Sequence, residues 1–274
     1  MAIIHSTATM SPTKLELLAS WLPTQPWYLD EGREPELARA GGFRLDDPRG
    51  EVGIEFMVVT DGSGARVPSY LVPMTYRASA LASADGALIG TAEHGVLGRR
   101  WIYDGVHDPV FVAQLVALIQ GDAEPQAQSV SDTPDPTVIS EPVTSDSLTA
   151  IGSAVASEPS GTVLRVETAG AGGVRGGQLV VRVSRVLQPD GTAASVAPAA
   201  SVAPAVSVAP AASVAPAVSA GPAVSVGPAA SAALAASAAA AASIAEAGRP
   251  SLTATWRLPD GTRVRGIMAS ARYI

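Results

Sequence analysis

The sequence predicts an α+β fold, a curved antiparallel sheet with one or two helices packed on it, plus a long disordered low-complexity insertion. Three observations carry this. Residues 51–77 read as strand, turn and strand. Two short amphipathic segments, near 13–22 and 109–120, have helix-start chemistry. Residues 195–243 form a hexapeptide array that cannot build a core.

In the first observation, Val52, Ile54, Phe56 and Val58 alternate with Glu51, Gly53 and Glu55. That period of two gives a strand with one apolar face. Asp61-Gly62-Ser63-Gly64 is turn chemistry. Tyr70, Val72, Met74 and Tyr76 then alternate along a return strand. Pro68 and Pro73 lack amide donors, which places that strand at an edge or a bulge. Glu51 and Glu55 share a face and read as solvated, and Asp46-Asp47 before Pro48 reads as a turn.

For the first helix, Ser11-Pro12-Thr13 supplies a Ser cap and a proline at the first position, and Pro23 stops it. Leu15, Leu18 and Leu22 fall on its buried face, with Leu17 and Trp21 beside them. For the second, Asp108 caps, Pro109 opens and Gly121 closes. Phe111, Leu115 and Leu118 form one row and Val112, Val116 and Ile119 another, an arc wide enough for burial on more than one side. Gly41-Gly42-Phe43-Arg44-Leu45 and Trp101-Ile102-Tyr103-Asp104-Gly105 read as brief strands, and 78–95 is weakly patterned.

Residues 128–160 read as a linker, inside a Pro-, Ser- and Thr-rich stretch that starts near 124. Residues 161–194 and 249–274 read as further β-hairpins that complete the sheet or form a small second β-subdomain. Gly170-Ala171-Gly172-Gly173-Val174-Arg175-Gly176-Gly177 is a hairpin turn and not a nucleotide loop, because Arg175 replaces the third glycine and a strand follows. Pro259-Asp260-Gly261 is the turn of the last hairpin. Between them, 195–248 is the insertion, near Ser-Val-Ala-Pro-Ala-Ala/Val per unit, and its proline favours extended conformations.

Residues 1–127 hold 16 acidic and 9 basic side chains, the whole of the formal net charge of -7. An acidic body argues against nucleic acid or an anionic membrane as partner. Residues 249–274 carry five arginines against one aspartate, which reads as a strand face more than a binding patch. The absence of cysteine excludes disulfides and thiolate metal sites. The first residues have neither a charged start nor a long apolar run, and the alanine-rich end of the array is too weakly apolar for a membrane span, so a cytoplasmic protein is expected. His5, His94 and His107 have no metal-ligand spacing. Catalytic residues, cofactors and metals are therefore all expected to be none.

Trp21-Leu22-Pro23-Thr24-Gln25-Pro26-Trp27-Tyr28 resembles the opening motif of the N-terminal cap domain of bacterial maltokinases. The likeness continues in order through the strand–Asp-Gly–strand unit, Ala87-Leu88-Ile89-Gly90, and Tyr103-Asp104-Gly105 leading into Asp108-Pro109-Val110-Phe111. It spans roughly 11–121, within a cap-like domain drawn at 1–127. The resemblance implies a curved antiparallel sheet with a packed helix, and in that family a kinase body that phosphorylates maltose with ATP. Pro26 stands where members commonly have a basic residue.

Residues 161–187 are similar, more weakly, to the first strands of a kinase N-lobe, which sets Arg182 where a phosphate-contacting Lys is expected. Arg is not its equivalent, being planar and forked. No His-Gly-Asp catalytic loop and no later metal-binding Asp follow, and the array stands where the helix pairing that Lys should be. The reading is a non-catalytic accessory or interaction protein linked to trehalose, maltose or α-glucan metabolism, with a sugar kinase or α-glucan enzyme as partner. A diverged ATP-dependent sugar kinase subunit is one alternative, and a scaffold using the array is another. Trp21, Gln25, Trp27, Tyr28, Trp101 and Tyr103 are the candidate interface or family-motif residues. Core packing of the aromatics is weighed against an exposed patch for a partner or sugar ring.

Overall fold

A computed structural model describes residues 9–63, 67–130, 132–142, 148–170, 175–190 and 249–274. The 195–248 insertion and most of the glycine-rich turn lie outside the described residues.

The chain begins with β1 (Met10–Ser11) and α1 (Lys14–Trp21). Next come β2 (Leu37–Leu45), β3 (Gly53–Asp61) and β4 (Ser69–Arg77). Then follow β5 (Leu88–His94), β6 (Gly98–Asp104) and α2 (Pro109–Gln120). Two short strands, β7 (Gln126–Ala127) and β8 (Ile139–Ser140), precede β9 (Thr149–Glu158) and β10 (Gly161–Ala169). The last are β11 (Arg175–Val183), β12 (Val186–Leu187), β13 (Ser251–Arg257) and β14 (Arg263–Tyr273).

All fourteen strands belong to one sheet, and its pairs are antiparallel. Its order is β1-β5-β6-β4-β3-β2-β13-β14-β11-β10-β9. The C-terminal hairpins therefore extend the sheet of the N-terminal region through a single bridge, Gly41 opposite Trp256. The sheet also curls back on itself. β12 continues β11 after Ser184 and Arg185 and pairs with β4, Val186 opposite Tyr70. Trp256 Nε1 crosses the interior of the curl to donate to Ser69 Oγ at 3.1 Å.

The β3–β4 hairpin is the centre of the fold, and both of its faces are covered. Phe56, Val58 and Leu71 join α2 and the inner residues of β10 to β14 in one core. Met57, Val59, Tyr70, Val72 and Met74 join Leu18 and Trp21 of α1, and Leu22 just after it, in a second. The register explains this: Val59 stands opposite Tyr70 and Met57 opposite Val72, so the two apolar rows of the sequence lie on opposite faces. The single apolar face expected from alternation is thus corrected to two.

The edge position expected for β4 is also corrected, for it is central. Its outer edge is shared by β12 at Ser69 and Tyr70 and by β6 from Met74 to Arg77. Leu71 N–H donates to Arg185 O on that edge. Pro73, two residues on, turns its nitrogen to the same side, where β12 has ended and β6 has not begun. The missing donor falls in a gap of the ladder and breaks no bond.

Helix α1 is capped by Thr13, not Ser11, because Thr13 and Glu16 form a reciprocal capping box. Pro12 stands one residue outside that cap. Helix α2 keeps the expected signals: Asp108 accepts from Val110 N–H, Pro109 is first, and Gly121 takes the left-handed conformation at φ 82°. Both apolar rows of α2 are buried.

Two stretches read as irregular hold strands: β5 within 78–95, and β9 within the expected 128–160 linker. β9 is built of Ala, Ser, Gly and Thr with isolated Ile and Val, so it shows little alternation of hydropathy. Gly42 allows β2 to pass β3 closely. Its φ is 128°, and a Cβ there would stand 2.0 Å from Phe56 O.

Candidate functional site

The predicted motif residues fall into two groups. Trp21 meets Trp27 edge to face at 5.8 Å, and Trp27 and Tyr28 lie 6.0 and 5.4 Å from Tyr70. All four rings are buried, Trp27 completely. Tyr103 lies in a separate cluster with Ala84 and Ala87, against which Trp101 packs half-buried. Its hydroxyl accepts from Leu81 N–H. Gln25 is half-buried and donates to Thr24 Oγ1. As placed, Trp21, Trp27, Tyr28 and Tyr103 offer no exposed ring to a sugar or a partner. Trp21, Trp27 and Tyr28 close the junction between α1 and the sheet, Tyr103 packs in its own cluster, and of the six only Trp101 and Gln25 reach the surface. Of the two readings weighed for the aromatics, core packing describes these four rings.

Polar side chains whose long-range partners the sequence does not show tie this region together. Glu55 is 4% exposed. It accepts from Lys14 Nζ at 2.6 Å, from Gln128 Nε2 at 2.6 Å and from the Tyr76 hydroxyl. Burial pushes its pKa up, but the Lys14 charge and the three donors outweigh burial and hold the carboxyl below its ordinary value. The same pair of causes, burial first and the Glu55 charge second, pushes the Tyr76 phenol well up. The solvated face expected for Glu55 is corrected: only Glu51 is exposed.

Asp61 accepts from the Tyr28 hydroxyl at 2.7 Å, from Arg33 Nη1 at 2.9 Å and from Glu36 N–H at 2.8 Å. Asp108, fully buried, caps α2 and binds Arg77 through both oxygens at 2.6 and 2.7 Å. Asp104 takes Arg185, which is completely buried and lies over the Trp27 ring at 5.1 Å.

These are the residues of the resemblance in place: the opening aromatics, the strand–Asp-Gly–strand hairpin, and Tyr103-Asp104-Gly105 before the capped helix. Residues 21–108 match the family model of the maltokinase N-terminal cap domain. The match takes about a third of the chain and contains β2 to β6. Among curated proteins, none matches the chain. Within the matched segment, Asp61 and Asp104 follow strand runs and Asp108 precedes a helix, so turn or cap roles were legible. Their cationic partners are not local: Arg185 lies beyond the matched segment, 81 residues from Asp104.

Outside the matched segment, four arginines gather. A shallow cavity of about 130 Å³ is lined by Arg165, Arg182, Arg249 and Arg272 around Val163, Val180 and Ser270, with Glu158 at its rim. Arg182 donates to Ser160 Oγ at 3.0 Å and lies 3.5 Å from Glu158. Register sets this face: Arg165 stands opposite Val180, and Val180 opposite Arg272. Part of the basic excess of 249–274 therefore joins arginines of β10 and β11 across the sheet. Sequence spacing alone could not show that.

The histidines are not brought together. His94 Nδ1 accepts from Val96 and Leu97 N–H, His107 lies before α2, and His5 is outside the described residues. Among the described residues no three His, Cys, Asp or Glu side chains are grouped to hold a metal ion. No helix among them is long and apolar enough to cross a membrane.

Proposed function

We propose that this chain is a non-catalytic, cap-like accessory or interaction protein that works in the cytoplasm. It is linked to trehalose, maltose or α-glucan metabolism, with a sugar kinase or α-glucan enzyme as its partner. One observation carries the reading. Five acids of residues 21–108 are buried and all are committed to structure: Asp47 accepts from the backbone amides of Arg49, Glu51 and Val52, and the other four pair with cations, Glu55 with Lys14, Asp61 with Arg33, Asp104 with Arg185 and Asp108 with Arg77. Phosphoryl transfer needs carboxylates that face a metal and a substrate hydroxyl. These carboxylates face cations or backbone amides of their own chain. The metabolic link rests on the family match alone, an argument by analogy.

A second reading, a diverged sugar kinase subunit, draws on Arg182. It lines the arginine cavity at the position where the resemblance sets a phosphate-contacting residue. The two separate in an ATP-consumption assay of the purified chain with maltose, glucose and amino sugars. The first reading expects none above a no-protein control, and the second expects sugar-dependent turnover that falls with Arg182→Ala.

A further inference from the structure

β9 is the last strand of the sheet, and among the described residues nothing pairs with its outer edge. It is ten residues long, and most of them are exposed. Natural edges of this length are commonly blunted by lysine, proline or charge. β9 has none before Glu158, and Ile151 on it is 55% exposed. The turn to β10 has two residues, with Glu158 opposite Gly161. The closing pair of such a hairpin is hydrogen-bonded, so the amides of Ser153, Val155 and Ser157 point to the open edge.

The two faces of β9 differ. On the inner face Val155 stands opposite Leu164 and packs half-buried against the core. On the outer face Gly152, Ala154 and Ala156 stand opposite Glu167, Arg165 and Val163. These residues are too small to cover the arginine row. Among the described residues the guanidinium groups of Arg165 and Arg272 make no hydrogen bond or ion pair. An incoming strand would lie about 10 Å from β10, two strand spacings. A glutamate on it and the long side chain of Arg165 can meet above Ala154.

We propose that β9 is a strand-addition site for an extended acidic segment of a partner protein, apolar at inward positions and Asp or Glu at outward ones. The backbone ladder supplies affinity, and Arg165, one strand in from β9, selects the charge. A second copy paired edge to edge through β9 is the other occupant, and the test separates it by oligomeric state. The inference rests on the reading of the chain as an interaction protein. A phosphoryl-transfer assay tests that reading separately, without touching β9.

The test is selection from a display library of random peptides of about the length of β9, followed by fluorescence anisotropy of the enriched peptides. The expected result is enrichment of sequences with Asp or Glu at alternate positions. Their affinity should fall about tenfold or more with Ser153→Pro, which removes an edge amide, and with Arg165→Glu, which reverses the charge. Ala154→Lys, which places a cation on the outer row, should strengthen binding only if the row acts by charge, and it serves should the proline variant not fold. No enrichment, enrichment without acidic bias, or binding indifferent to both Ser153→Pro and Arg165→Glu would overturn the proposal. So would a concentration-dependent dimer abolished by Ser153→Pro, which would assign the edge to a second copy.

Discussion

Arg185 Nη2 donates to both carboxylate oxygens of Asp104, at 2.9 and 2.7 Å, across the fork where β12 and β6 diverge along β4. Arg185 Nε donates to Thr162 Oγ1 at 2.8 Å, so one side chain joins β6, β10 and β12. The pair is buried on both sides, and among the described residues Arg185 Nη1 and Trp27 Nε1 have no hydrogen-bond partner. Removing one charge strands the other in a low dielectric, which costs on the order of 3–5 kcal/mol. Asp104→Asn or Arg185→Met should lose that much in urea denaturation. The double variant Asp104→Leu with Arg185→Met should recover most of it. A double variant no more stable than the singles would contradict the pairing.

Asp108 permits a dissection. It caps α2 and holds Arg77. Asp108→Asn keeps a capping oxygen but removes the charge that Arg77 faces. Asp108→Ala removes both, and the cap alone is worth about 0.5–2 kcal/mol. The alanine variant should therefore be less stable than the asparagine variant by roughly that amount, read from thermal or urea unfolding.

The fold was most legible where local chemistry decides. Asp108, Pro109 and Gly121 set the bounds of α2, and Pro259-Asp260-Gly261 set the last turn, with Gly261 at φ 87°. Thr13 took the place of Ser11 because a capping box needs an acceptor three residues on, and Glu16 stands three after Thr13. β9 was hidden because Ala, Ser and Gly carry no periodic signal. Glu55 was misread because its partners, Lys14 and Gln128, lie 41 and 73 residues away in sequence. The arginine cavity was hidden for the same reason, since its members lie on separate strands.

Glu55 sets a pH prediction. Its folded pKa lies below the ordinary 4.5, so the folded state holds fewer protons than the unfolded chain. Its contribution is present above the unfolded pKa and is lost as pH falls through the folded one. Lys14→Met removes the largest favourable influence on the carboxylate and should move the acid-unfolding midpoint to higher pH. Glu55→Gln should lower stability near neutrality and flatten the acid limb. An unchanged midpoint in Lys14→Met would show that the ion pair does not hold the carboxylate.

Gly42→Ala tests the close approach of β2 and β3. The new methyl would meet Phe56 O, at a backbone angle that L-residues rarely adopt. Strain of this kind costs on the order of 1–3 kcal/mol before the clash is relieved. Gly50→Ala, also at positive φ but with open space around it, is the control and should cost less.

The most direct test follows maltose, MgATP and the purified chain by ³¹P NMR at stoichiometric protein. A chain whose buried acids between residues 21 and 108 are committed to its own cations and backbone amides should leave the ATP signals unchanged beyond the no-protein control. A new sugar-phosphate resonance that grows with protein concentration would contradict the account.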